Sequence, residues 1–155
     1  VPPVAAPASA PLPRGAVRRI LENWRVEAVL GCTMAVTADG VRGSVSVIPL
    51  TLTRQAGMLQ LFAADSRLVD NRNYELVFAG AAGAFRLTAI ANAGALATFL
   101  KRGGRDDVDM ASEFAGGGSL EIRDAGRVVE AWQIAPAPES VQRGLQRCLA
   151  ALPPL

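Results

Sequence analysis

The chain contains no histidine, and Lys101 is its only lysine. Without histidine there is no Ser-His-Asp or Cys-His nucleophilic arrangement, and the commonest transition-metal ligand is missing as well. Cysteine occurs twice, at Cys32 and Cys148, which excludes a CxxC redox motif and any four-cysteine zinc site. Charged residues make up 19%, below the roughly 25% usual for soluble domains, so the surface is expected to be weakly charged. The net charge is only +2 and the basic residues are scattered, with no basic stripe interleaved with aromatics, so a nucleic-acid footprint is unsupported. No apolar run reaches the roughly 18 to 20 residues of a membrane-spanning helix, so no transmembrane segment is expected.

Half of the 155 residues are hydrophobic, enough for one domain with a sizeable core of its own. Residues 1–14 hold Pro2, Pro3, Pro7, Pro11 and Pro13, five of the ten prolines, and are expected to form an extended tail or tether ahead of a single β-rich domain over 15–155. Such a start resembles the mature end left after export, and the expected location is periplasmic or otherwise exported. An artificial boundary or an interdomain linker would look the same. The five prolines are the candidate docking residues for a protein partner.

Along the domain, Val17, Ile20, Leu21 and Trp24 have the spacing of a helix face and predict a short N-terminal helix over Gly15 to Asn23. Alternation then predicts strands through Trp24 to Val36, with a bend at Gly31, and through Ser44 to Arg54, Met58 to Ala64, Tyr74 to Phe78 and Ala84 to Ile90. Asp39-Gly40 supplies a turn and Asp65 to Asn73 a polar loop. Leu96, Phe99 and Leu100 predict a mid-chain helix over Asn92 to Lys101. Leu120 to Ile122 and Val128 to Ile134 form a closing hairpin, and Glu139 to Leu152 an amphipathic C-terminal helix with Cys148 on its inward face. The fold class expected is mainly β: an antiparallel sandwich or barrel of about seven to eight strands, with an N-terminal, a mid-chain and a packed C-terminal helix.

Two cysteines at inward positions of a chain expected to be exported point to one disulfide between Cys32 and Cys148, the alternative being two buried thiols. The order Trp24-x-Val26, then Gly31-Cys32, then short strands, the hairpin Leu120 to Ile134, and ESVQRGLQRC ending in Cys148 resembles small exported proteins of α-proteobacteria of the invasion-associated locus B type. The resemblance covers Asn23 to Leu152. It implies a periplasmic β-sandwich or barrel with a packed C-terminal helix and no established enzymatic role. The chain departs from the pattern in having only two cysteines and a long Pro/Ala start.

Few residue combinations carry chemistry. Thr98 and Lys101 fall three apart, as in Ser-x-x-Lys acyl enzymes, but lack the accompanying motifs. Asp106, Asp107 and Asp109 are expected to form a solvated acidic turn, because no calcium-loop spacing follows them. Gly116 to Gly118 precedes a strand, not a helix, and so lacks a phosphate-binding N-terminus; it is expected to be a flexible loop. Glu27, Glu75 and Glu130 are expected to face water, and Trp24 and Trp132 the core. No catalytic, cofactor-binding or metal-binding residue is expected. The functional expectation is a non-catalytic periplasmic interaction or accessory protein, a subunit of an envelope or membrane-associated assembly; the alternative is a carrier of a small apolar ligand.

Overall fold

A computed structural model describes residues 12–28, 31–49, 55–100 and 107–151. Strands dominate: β1 (Val17–Leu21), β2 (Asn23–Glu27), β3 (Cys32–Ala38), β4 (Val41–Pro49), β5 (Gln55–Ala63), β6 (Asn73–Gly80), β7 (Ala84–Asn92), β8 (Ala95–Phe99), β9 (Gly118–Asp124) and β10 (Arg127–Ile134). Helices α1 (Asp107–Ala115) and α2 (Glu139–Ala151) complete the described elements. One ten-stranded sheet runs in the order β1-β10-β9-β6-β7-β8-β5-β4-β3-β2 and curls into a nearly closed barrel. The fold is therefore mainly β, with more strands than expected, and of the two expected arrangements, sandwich or barrel, it takes the barrel.

The strand register follows from period-two alternation. In β7, Phe85, Leu87, Ala89 and Ala91 are buried while Ala84, Arg86, Thr88, Ile90 and Asn92 are exposed, as a sheet with one face on a core requires. Every pairing is antiparallel except β1 with β10, which run in parallel. The strand directions place the connections 39–40, 64–72, 93–94 and 125–126 at one end of the barrel, the turn end, and α1 and α2 at the other, the helix end.

The N-terminal helix expected over Gly15 to Asn23 is not formed. In its place β1 and β2 lie at opposite edges of the sheet and are separated in sequence by Glu22 alone. Val17 to Glu27 is thus one bent stretch whose first half pairs with β10 and whose second half pairs with β3. The bend explains the misleading spacing. Arg19 and Leu21 are buried in β1, Glu22 is the extra residue, and Trp24 and Val26 turn inward in β2. This shift of phase imitates a helical period. At the seam the Ala135 amide donates to the Leu21 carbonyl at 2.9 Å, and Trp24 Nε1 donates to the Ala135 carbonyl at 2.7 Å.

The mid-chain helix expected over Asn92 to Lys101 is also absent: Ala95 to Phe99 is β8, paired between β5 and β7. The helix lies later, at α1, where Met110, Ala111, Phe114 and Ala115 are buried. Phe114 reaches into the barrel, 5.6 Å from Phe78 and 5.9 Å from Trp24 between ring centroids. Gly43 of β4 lies beneath it; a Cβ there would meet Phe114 Cζ at an ordinary contact distance of 3.5 Å. Phe78 and Phe85, facing each other across β6 and β7, stack at 4.9 Å. The short segment from Gly116 to Gly118 is not a loose loop. Gly117 adopts φ +77°, and a Cβ on it would sit 2.6 Å from the Pro136 nitrogen, so only glycine lets the chain pass from α1 into β9.

The C-terminal helix forms as expected. It packs on β2 and β3, with Leu145 buried in a second apolar cluster beside Cys32, Met34, Ala115 and Ala137. Cys32 and Cys148 are joined by a disulfide with Cα atoms 5.9 Å apart, which ties α2 to the first residue of β3. Trp132 is fully enclosed and Trp24 packs against both clusters.

Candidate functional site

Two places on the barrel are built differently from the rest, one on its outer wall and one at its turn end. On the wall, the outward residues of β5, β8 and β7 form three rows. Met58 lies opposite Phe99, Ala97 lies between Gln60 and Ile90, and Ala95 lies between Phe62 and Asn92. Phe99 is 62% exposed, Ile90 56% and Phe62 41%. None of these rows contains a charged residue, and the small Ala97 leaves a groove of about 300 Å³ walled by Met58, Thr88, Ile90 and Phe99. Charged side chains begin only at its borders. On one side Arg86 donates to Glu75 at 3.2 Å. On the other, Arg42 beside Phe62 forks onto Glu27, which also accepts from Arg25 Nε at 2.6 Å. The hydrogen bonds from Arg42, and then its charge and that of Arg25, hold the Glu27 carboxyl below its ordinary range against the opposing effect of burial. The same carboxylate keeps the Arg42 guanidinium above its usual range.

At the turn end, the connection 64–72 folds across the barrel mouth. It is tied down at several points: Ala64 N to Gly40 O at 2.8 Å, Asn71 N to Ala91 O at 2.8 Å, Val69 N to Tyr74 Oη at 2.9 Å and Ala93 N to Asp70 Oδ1 at 2.9 Å. Beneath it lies a cleft of about 190 Å³ whose walls include Val17, Leu68, Val69, Tyr74, Val129 and Glu130, with Arg67, Arg72 and Asp124 around it. Glu130 is only 3% exposed. Its Oε1 accepts from Arg19 Nε at 2.6 Å and from Trp132 Nε1 at 2.9 Å. Arg19, itself 8% exposed, also reaches Asp65 Oδ1 at 2.8 Å, and its Nη2 is buried without a hydrogen bond. Burial works against the charge of Arg19, yet the bonds from Glu130 and Asp65 hold its pKa above the ordinary guanidinium value.

The expectation that Glu130 faces water is therefore overturned. Glu130 and Trp132 are two residues apart with unbroken register between them, so an inward Trp132 carries Glu130 inward too. Alternation alone could have found this. Glu27 and Glu75 do lie on outward positions and are paired with arginines, so the three carboxylates do not converge as an acid/base pair needs. Thr98 falls in a strand, not on a helix face with Lys101, which lies outside the described residues. Asp107 and Asp109 fall in α1 in place of the expected acidic turn, and Asp106 is outside the described residues. Of the candidate docking prolines, Pro2, Pro3, Pro7 and Pro11 also lie outside them; Pro13 is exposed, and its carbonyl accepts from the Ala16 amide at 3.1 Å.

Among the described residues no three His, Cys, Asp or Glu side chains gather closely enough to hold a metal ion, and no helix is long and apolar enough to cross a membrane. No family model, curated protein or solved structure matches this chain.

Proposed function

We propose that the chain is a non-catalytic interaction protein of an exported compartment, an accessory subunit that meets a protein partner through the outer wall of β5, β8 and β7. The observation that carries this reading is the uncharged strip holding Phe99, Ile90 and Phe62, flanked by the arginine–carboxylate pairs of Arg86 and Arg42. An apolar centre with a polar rim is the usual anatomy of a protein interface, and large aromatic side chains exposed together are otherwise a liability. The groove beside Phe99 fits one apolar side chain of the partner, and Phe99 itself fits a pocket on it. The disulfide between Cys32 and Cys148 supports the exported setting, where such bonds persist. The resemblance to exported proteins of the invasion-associated locus B type points the same way. The carrier alternative is weakened by the barrel interior, which is filled by Trp132, Phe78, Phe114 and the leucines around them.

Site-specific photocrosslinking in cells tests the interface. A photoreactive residue at position 99 is expected to give one discrete adduct, whose mass identifies either a different protein or a second copy of this chain. The same residue at position 143, exposed on α2, is expected to give none. Absence of an adduct from position 99, or the same products from both positions, overturns the assignment.

A further inference from the structure

The turn-end cleft is remote in character from the uncharged wall, and it is a formed cavity lined by a buried carboxylate. Glu130 spends Oε1 on two donors, Arg19 Nε and Trp132 Nε1, while Oε2 makes no hydrogen bond among the described residues. The buried side-chain atoms that lack a partner include Arg19 Nη2 but not Glu130 Oε2. Glu130 lines the cleft, so this unbonded oxygen is the acceptor it can offer there. Packing against Trp132 and the ion pair with Arg19 fix that oxygen in place, so it presents a preorganised acceptor.

The charges around it define what it accepts. Arg19, Glu130 and Asp65 together carry one net negative charge. Arg72 is taken by Asp124 at 2.9 Å. Arg67, exposed on the tied-down connection, also borders the cleft and has no ion-pair partner among the described residues. Apart from these charged groups the cleft is lined by Val17, Leu68, Val69 and Val129, with Tyr74 and Gly15. A volume of about 190 Å³ is below the roughly 300 to 1,000 Å³ of sites for drug-sized ligands.

We infer that the cleft is a binding site for a small zwitterion with an aliphatic body, an α-amino acid of the leucine type, whose ammonium meets Glu130 Oε2 and whose carboxylate meets Arg67. The ammonium offsets the negative charge of the Arg19–Glu130–Asp65 group, and the carboxylate supplies the fork that an arginine prefers. The aliphatic side chain lies against the valines, where it displaces water at no polar cost.

Titration of the full chain with L-leucine, followed by amide shifts in two-dimensional NMR, tests the site. Saturable shifts are expected at Leu68, Val69, Val129 and Glu130. Two matched analogues dissect the recognition: 3-methylbutylamine lacks the carboxylate and 4-methylpentanoate lacks the ammonium, and each is expected to bind about tenfold or more weakly than leucine. Glu130→Gln is expected to weaken leucine binding by about tenfold or more. Because Glu130 also partners Arg19, Arg67→Ala provides a second variant at an exposed position; it is expected to weaken leucine while leaving the amine analogue unchanged. No saturable shift at these four amides overturns the proposal. So does 4-methylpentanoate binding as tightly as leucine, or an Arg67→Ala protein that binds leucine as the parent does.

Discussion

At the scale of single residues, the most consequential group is the buried pair of Arg19 and Glu130, with side chains 7% and 4% exposed. Taking both charges out of water is costly, and their attraction offsets that cost only while both are present. Removing one partner therefore does more harm than removing both. Arg19→Met leaves Glu130 charged, buried and held by Trp132 Nε1 alone, and is expected to lower stability by about 3 kcal/mol in urea unfolding. The double variant Arg19→Met with Glu130→Gln keeps an acceptor for Trp132 and is expected to recover most of the loss. If the double variant is as unstable as the sum of the two singles, the pair is not coupled and the description of the barrel mouth as an ion-paired unit is wrong. The third group, Asp65, is 76% exposed on its side chain and contributes little to this balance, because solvent screens it.

At the scale of elements, α2 shows how one covalent tie substitutes for packing. Of its thirteen residues only Leu145 is buried, and Gly144 lets the helix lie close to β2, since a Cβ there would stand 3.0 Å from Val26 Cγ2. The disulfide, spanning 116 residues, is expected to stabilise the chain by about 4 to 5 kcal/mol in the loop-closure account. Cys148→Ser is thus expected to lower stability by about that amount and to raise amide exchange in α2 before exchange rises in β5 to β9. Uniform acceleration across the whole sheet would show instead that α2 and the barrel form a single cooperative unit. The helix itself was legible from its sequence, because Val141, Leu145, Cys148 and Leu149 keep one period over more than two turns. The strand β7 was legible for the same reason, with strict alternation over nine residues. Legibility failed where an element is short or bent. The bend at Glu22 converted two short strands into an apparent helix face, and the alanine-rich β8 carries no β-branched signal beyond Thr98. Of the two candidate sites, the inward turn of Glu130 was available from its spacing to Trp132. The cleft around it was not, since it depends on the connection 64–72 folding back over the barrel mouth.

At the scale of the whole molecule, closure depends on the bent stretch from Val17 to Glu27, which joins the two edges of the sheet. Its partners in β10 are distant in sequence: Arg19 and Glu130 are 111 residues apart. By contrast β3 to β5 and β6 with β7 pair as neighbours through short connections. Bringing distant segments together costs chain entropy that local hairpins avoid, so the hairpins are expected to form first and the seam last. This order has a kinetic signature. Leu21→Val, at a fully enclosed position of the seam, is expected to cost about 1 kcal/mol and to show that loss as faster unfolding with an unchanged folding rate. Leu61→Val, equally enclosed in β5, is expected to cost a similar amount but to slow folding. Stopped-flow measurement of both limbs against urea separates the two. Slower folding in Leu21→Val would mean that β1 already pairs with β10 in the transition state, so that the barrel closes before its wall is complete.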